Sequence, residues 1–467
     1  MRTPRDWRVI TSAAALTAAT ALAAPASALA AGAAPSLDVP YTTFTLPNGL
    51  TVVLHEDRTL PIVTVNVWYH VGSGREKPGR TGFAHLFEHL MFEGSKHVKE
   101  GEFDSLLEAA GGDNNGSTNT DRTNYWINVP SSGLDLALFL ESDRMGYLLD
   151  VVSPELVDGQ RDVVKNERRQ GVENAPYGQA QVRLGELLYP KGHPYHWPVI
   201  GYMEDLTAAS AEDVKDFFRT YYVPANASLV IAGDIDPVKA RAAVERWFSD
   251  VKAGPKPDPV AAPPASIDTV VRETLEDRVQ LPRLYLAWLT PKHFAPGDAD
   301  LDLVARVLAG GKNSRLYKRL VYDLQIAQNV VAMQRSAAFS SQFVVVVTPK
   351  PRPAGPETSP QAMIDEVRGI LDEEIDRLRR EPPTPREVER AVNQIEAEYY
   401  NALEQVGGFG GKADLLNSYL FATGNPGYFN EDLARYRALS ARDVQAAVST
   451  WLPADRRVEL TVLPKKP

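Results

Sequence analysis

Apolar and polar positions alternate through YTTFTLPNGLTVVLHED (41–57), in two β-rich runs either side of Pro47-Asn48-Gly49. Two such runs around an Asn-Gly turn predict a β-hairpin. IVTVNVWYHVGS (62–73) predicts a third strand, and TNYWINVP (123–130) and ASLVIAGDID (227–236) two more. Between them the apolar spacing changes to three and four. It predicts helices over 81–96, 100–110, 133–149, 154–173 and 210–220. In the first of these, Gly82 stands at the start and Phe83, Leu86, Leu90 and Met91 form the apolar stripe. Gly94 lies past the last periodic residue. The helix at 154 has Ser153 as N-cap and Pro154 in its first turn.

The second half echoes the first. Ser210-Ala211-Glu212-Asp213-Val214 returns as Ser440-Ala441-Arg442-Asp443-Val444, and Val223-Pro224-Ala225-Asn226 as Leu452-Pro453-Ala454-Asp455. One capped helix, one Pro turn and one closing strand recur at a domain-length offset, which predicts a duplicated α+β domain. AGPKPDPVAAPPAS (253–266) is Pro- and Ala-rich and has no period, as a linker does. The expected organisation is an N-terminal domain over 38–252, a linker over 253–266 and a homologous C-terminal domain over 267–467. The fold class is α+β, each domain a mostly antiparallel sheet with helices packed on one face.

Composition narrows the function. The 467 residues carry a formal net charge of −10, which argues against a general nucleic-acid binder. With no cysteine there is no disulfide framework, thiolate nucleophile or Cys-type zinc site. Arg2, Arg5 and Arg8 precede an alanine-rich apolar run, followed by Ala26-Ser27-Ala28 and Ala28-Leu29-Ala30. That layout predicts a cleaved secretory signal over 1–30 and a periplasmic or extracellular protein. A mitochondrial presequence is the alternative reading, since the stretch is Arg-bearing and poor in acids. No later stretch reaches the roughly 18 apolar residues that a spanning helix needs.

The chemistry is concentrated in FAHLFEHLMFEG (83–94). On a helix, residues four apart lie about 40° apart around the axis and about 6 Å along it. His85 and His89 can therefore aim two imidazole nitrogens at one point, with Glu88 close enough to reach a water there. Two imidazoles and a carboxylate suit zinc, with a fourth position left for water. The order His-x-x-Glu-His inverts the common zinc-peptidase motif. By chance alone it should occur in roughly one such chain in a hundred. A third ligand is required, and SPELVDGQRDVVKNERRQGVENAPYG (153–178) offers Glu167, 78 positions beyond His89, with Glu173 as the next carboxylate.

HxxEH followed at this distance by a helical glutamate resembles the pitrilysin/insulinase family of zinc peptidases. It is most similar to the short-chain branch that includes mitochondrial processing peptidase and bacterial relatives. HLMFEGSKH, VVKNERRQ, HPYHWPVIG and GGFGGKADLLNSY extend the resemblance along the chain. It implies that His85, His89 and Glu167 are zinc ligands and Glu88 the general base. It implies half of a clamshell, with a peptide substrate adding to a sheet edge at GGDNNGSTNTDRTNYWINV and Asn115 near its backbone. Read on its own, Asn115 is a polar residue in a Gly/Asn-rich loop. The family's acidic residue seven positions before the third ligand is Gln160 here. Its Arg and Tyr, seven apart and facing the zinc from the opposite half, align with Val321 and Gln328, while Tyr317 and Tyr322 are out of register.

The expected function is a secreted or periplasmic zinc metallopeptidase subunit, paired with a homologous chain that carries the missing Arg and Tyr. A homodimer is the alternative assembly. An inactive scaffold or peptide-binding subunit is the alternative function. GGFGGKA (407–413) lacks the residues of a phosphate loop and reads as a hinge or a substrate-facing glycine loop. His193 and His196 fall in a Pro-rich turn, and His55, His70, His97 and His293 stand alone, so structural roles are assigned to them.

Overall fold

In the computed structural model, the structure describes residues 36–353, 355 and 358–465. The expected signal over 1–30 lies outside them. The described residues from Asp38 onward form one compact unit built on two sheets.

The first half contributes β1 (Thr42–Thr45), β2 (Thr51–Glu56), β3 (Ile62–Tyr69), β4 (Asp113–Thr118), β5 (Thr123–Pro130) and β6 (Ala227–Gly233). Its helices are α1 (Phe83–Leu90), α2 (Glu102–Ala109), α3 (Leu134–Tyr147), α4 (Pro154–Arg168), α5 (Gly178–Leu188), α6 (Met203–Ala208), α7 (Ala211–Tyr221) and α8 (Pro237–Phe248). The second half contributes β7 (Val271–Asp277), β8 (Arg283–Thr290), β9 (Ala327–Arg335), β10 (Ser341–Pro349) and β11 (Val458–Pro464). Its helices are α9 (Asp298–Ala309), α10 (Pro360–Arg380), α11 (Pro385–Glu404), α12 (Lys412–Thr423), α13 (Phe429–Arg437) and α14 (Ala441–Trp451).

The repeat reaches far beyond the segments that announce it. The sheets run β1-β2-β6-β3-β5-β4 and β7-β11-β8-β10-β9. Apart from β1, each strand of the first has a counterpart in the second. The late strand inserts parallel to one strand and antiparallel to the next in both cases, β6 between β2 and β3, β11 between β7 and β8. Ser210 and Ser440 start equivalent helices, and in each the aspartate three residues on accepts the serine N–H, at 3.1 and 2.8 Å.

Helices of its own half cover one face of each sheet. Val63, Val65, Val67 and Tyr69 of β3 join α1, α3, α7 and α8 in the first core. Leu284, Leu286 and Trp288 of β8 join α9, α10, α11 and α14 in the second. The opposite faces are covered by exchange. From the first half, α5 lays Ala180, Leu184 and Leu188 on Tyr285, Ala287, Val344 and Leu460 of the second sheet. In return α12 packs on β3 and β6 of the first.

That second contact is polar. Asp414 of α12 accepts hydrogen bonds from Trp68 Nε1 (2.8 Å), Asn124 Nδ2 (2.9 Å) and the Gly410 N–H (2.9 Å). Asn417 donates to the main-chain and side-chain oxygens of Asn66, at 3.0 and 2.7 Å. A buried donor stripped of its acceptor costs about 1–3 kcal/mol. Asp414→Ala strips three at once and is expected to destabilise the chain by at least about 3 kcal/mol, read as a lower denaturant midpoint. An unchanged midpoint would mean that water replaces the carboxylate.

Candidate metal centre

The helix that carries His85, Glu88 and His89 is shorter than the apolar spacing predicts. It stops at Leu90, and Gly94 follows with φ +115°. Eight residues make a poor helix in isolation. Its neighbours fix it at both ends. At its start Gly82 has φ +89°, and a Cβ there would lie 2.8 Å from the Ile200 carbonyl oxygen, so glycine is required. The buried Glu76 carboxylate accepts the N–H groups of Gly82 (2.9 Å) and Ala84 (2.8 Å). Burial pushes that carboxyl above its usual range, and the backbone donors oppose the shift. Farther along, the Tyr222 hydroxyl donates to the Ala84 carbonyl (3.3 Å) and the Tyr125 hydroxyl to that of Phe87 (3.1 Å). Leu86, Phe87 and Leu90 fill the core beneath.

With the apolar stripe buried, the other side of α1 presents His85, Glu88 and His89, all half-buried. Helix α4 packs across α1 and brings up Glu167. Glu167 Oε2 lies 3.3 Å from His89 Nε2 and 3.7 Å from His85 Nε2. The rings of His85 and His89 stand 4.9 Å apart at 80°. One donor atom from each of the three residues falls within 4.8 Å of the others. Burial lowers the His85 pKa, which favours the neutral imidazole that can bind a metal. The hydrogen bond with His89 holds the Glu167 carboxylate below its usual range. Two imidazole nitrogens and one carboxylate oxygen at these separations fit a zinc-sized cation, whose tetrahedral ligands lie about 3.4 Å apart for bonds of about 2.1 Å.

The other predicted positions are also placed. Glu173 is held by Arg168 Nε at 2.8 Å, and among the described residues it takes no part in the cluster. Gln160 lines a cavity of about 580 Å³ with Glu93, Lys96 and Glu155. Asn115 does not sit in a loop: Asp113–Thr118 is a strand, and β4 is the outer strand of its sheet. The segment is too polar to read as a strand by itself, and it is ordered by its register on β5, with Asn115 opposite Trp126. Val321 packs partly against the second core, and Gln328 is exposed on β9, the counterpart edge. Neither supplies a guanidinium or a phenol.

Glu76, Tyr125 and Tyr222 carry no sequence signal for their role. They meet α1 only after the sheet and α7 have formed.

The family described as Insulinase (Peptidase family M16) matches residues 51–185, and the one described as Peptidase M16 inactive domain matches residues 208–395. A protein named zinc protease PqqE, from Helicobacter pylori, is 30% identical over 368 residues, which cover 78% of this chain and 80% of that one. A probable mitochondrial-processing peptidase subunit beta from Arabidopsis thaliana is 24% identical over 67% of this chain and 60% of its own length. The crystal structure of a protease from Helicobacter pylori superposes with a TM-score of 0.81 at 26% identity, over 91% of this chain and all of that one. The periplasmic protease PqqL from Escherichia coli shares the fold with a TM-score of 0.72 at 17% identity, and this chain spans 48% of it.

Glu76→Ala removes the acceptor at the start of α1. It should cost about 1–2 kcal/mol of stability, as loss of a helix cap does, measured by chemical denaturation of the metal-free chain. Wild-type stability would mean that the core face and the two tyrosine hydroxyls hold α1 without the carboxylate.

Proposed function

This chain belongs to the insulinase (M16) family of peptidases, and from that premise we propose that it is the zinc-binding peptidase half of a two-chain clamshell. The reading is carried by the convergence of His85, His89 and Glu167 within 4.8 Å, with Glu88 on the same helix and outside the trio. His85 and His89 would hold zinc through Nε2 and Glu167 through its carboxylate. Bound there, zinc would polarise a scissile carbonyl and acidify a water. Glu88 would serve as the general base, taking a proton from a water at the site and delivering it to the departing amine nitrogen. A peptide adds as a further strand to β4, held by main-chain hydrogen bonds, with Asn115 beside its backbone.

Residues 38–252 and 267–467 act in this reading as homologous domains joined by 253–266. Residues 1–30 are a cleaved signal that sends the chain to the periplasm or beyond. A mitochondrial presequence is the minor alternative.

Val321 and Gln328 support a two-chain assembly. In a homodimer each metal centre would face a valine and a glutamine. A homologous partner with Arg and Tyr at these positions would supply the missing donors. The same absence favours a second reading, a catalytically weak or scaffold subunit that binds peptides without cleaving them.

Two substitutions separate base from ligand. Glu88→Gln is expected to keep one equivalent of zinc and to lose nearly all turnover. Glu167→Ala is expected to weaken zinc binding by orders of magnitude with the far-ultraviolet spectrum unchanged. Metal analysis decides the matter: zinc lost with Glu88, or retained at full affinity without Glu167, reverses the assignment.

The partner is tested by reconstitution. Each donor removed from an enclosed site typically costs 10²–10³ in rate. The purified chain should be feeble, and a homologous Arg/Tyr-bearing chain should raise its activity at least about a hundredfold. Full activity from a homodimer, unaltered by such a partner, would dispose of the two-chain assembly.

A further inference from the structure

The loop Gly407–Gly411 presents a large aromatic side chain to solvent on an otherwise immobilised backbone. Its mouth is closed by two main-chain hydrogen bonds, Lys412 N–H to the Gln405 carbonyl (2.9 Å) and Ala413 N–H to that of Val406 (3.0 Å). Gly407 lies flat on the first sheet, where a Cβ would come within 2.0 Å of Asn128 Oδ1 and 2.2 Å of Thr64 Oγ1. Gly410 is tied to Asp414 at 2.9 Å. Gly408 and Gly410 have φ of +78° and +76° and nothing near their Cβ positions, so backbone conformation alone selects them. Between them stands Phe409, 47% exposed, edge-on against Trp126 with ring centres 5.7 Å apart.

Four glycines and an exposed phenylalanine do little for stability. Each glycine costs chain entropy, and the ring leaves almost half its surface in water. Position explains the arrangement better. Trp126 is paired with Asn115 of β4, and directly opposed residues share a face of the sheet. The β4 residues on that face are Asp113, Asn115 and Ser117, opposite Asn128, Trp126 and Asn124. All three are short. Arg122 lies against Ser117, donating to its hydroxyl at 2.7 Å, and Asp113 and Asn115 make a low floor between the outer edge of β4 and a wall formed by Phe409 on Trp126. A strand added to β4 would run roughly 10 Å from β5, two strand spacings away. Every second side chain of it would project over that floor. A large apolar side chain reaching inward across Asn115 would meet the Phe409 ring, while a small or charged one would leave the ring in water.

We propose that Phe409 is a specificity-determining residue, an aromatic platform that selects a large apolar side chain, aromatic or long aliphatic, at one alternate position of the bound peptide. The inference rests on the reading that a peptide adds to β4. It does not require that the peptide be cleaved.

The test uses the full chain, with its partner where one is needed for turnover, and peptides that differ at one position at a time. Wild type should prefer aromatic and long aliphatic residues at one position near the scissile bond. Phe409→Ala should flatten that preference by about tenfold or more in kcat/KM and leave peptides with a small residue there nearly unaffected. Phe409→Leu should restore part of it. A structural role would lower all peptides alike. The binding arm measures Kd by fluorescence anisotropy in the Glu88→Gln background, with and without Phe409→Ala. Selective binding without cleavage would sink the peptidase reading and keep the platform. Cleavage or binding with the same residue preference before and after Phe409→Ala would overturn the platform alone. A wild-type chain that binds none of the peptides would overturn both.

Discussion

Two imidazoles can share one ion only if the helix that carries them does not move. Here that helix is eight residues long, and almost none of its stability is its own. Its position is taken from groups distant in sequence: the Glu76 carboxylate at its start, and the hydroxyls of Tyr222 and Tyr125 on its carbonyls. Tyr125 belongs to β5 and Tyr222 follows α7, so the sheet and the helix layer each hold α1 directly. Displacing α1 would leave the buried Tyr125 hydroxyl without its acceptor, at about 1–3 kcal/mol. Glu167 arrives on α4 and is half exposed, which leaves the approach to the donor trio open.

The same frame was built twice and equipped once. In the second half α9 follows β8 as α1 follows β3, yet DADLDLVARVLA contains no histidine. What the second half supplies is cover. Its α12 buries a polar sheet face through Asp414 and Asn417, and α5 returns the favour on an apolar one. Each sheet is therefore enclosed on both faces only when both halves are present. This accounts for one compact unit among the described residues from Asp38 onward, in a chain whose sequence reads as two domains.

What could be read in the sequence follows from how local its physics is. The 2- and 3.6-residue periods located β2, β3, β5, β6 and helices α1 to α4 and α7, most ends to within a few residues, because burial of one face dictates them, while α5 and α6 were not legible. The capped helices at Ser210 and Ser440 exposed the duplication, since a capping box is a contact three residues long. His85, Glu88 and His89 were legible because a single helix places them. Glu167 was legible only with the family spacing, as its partner helix is 78 residues away. The strand character of β4 was hidden, because DNNGST owes its conformation to β5 and not to its own side chains. The exchange of α5 and α12 was hidden too, since both depend on surfaces that exist only after each half has folded.

An open sheet edge is a hazard that proteins usually blunt with charge, proline or a bulge. Along β4 the register with β5 runs unbroken from Asp113 to Thr118, and the only charged residue is Asp113 at its end. The strand contains no proline and no lysine, while Gly116 gives it low relief. It lies against α1, and so beside the donor trio. An unblunted edge beside a metal-competent cluster is what the proposed addition of a peptide strand requires. A strand is the one partner whose backbone groups match its own, which ties the peptide reading to the hydrogen-bonding demands of β4 as well as to the chemistry of α1.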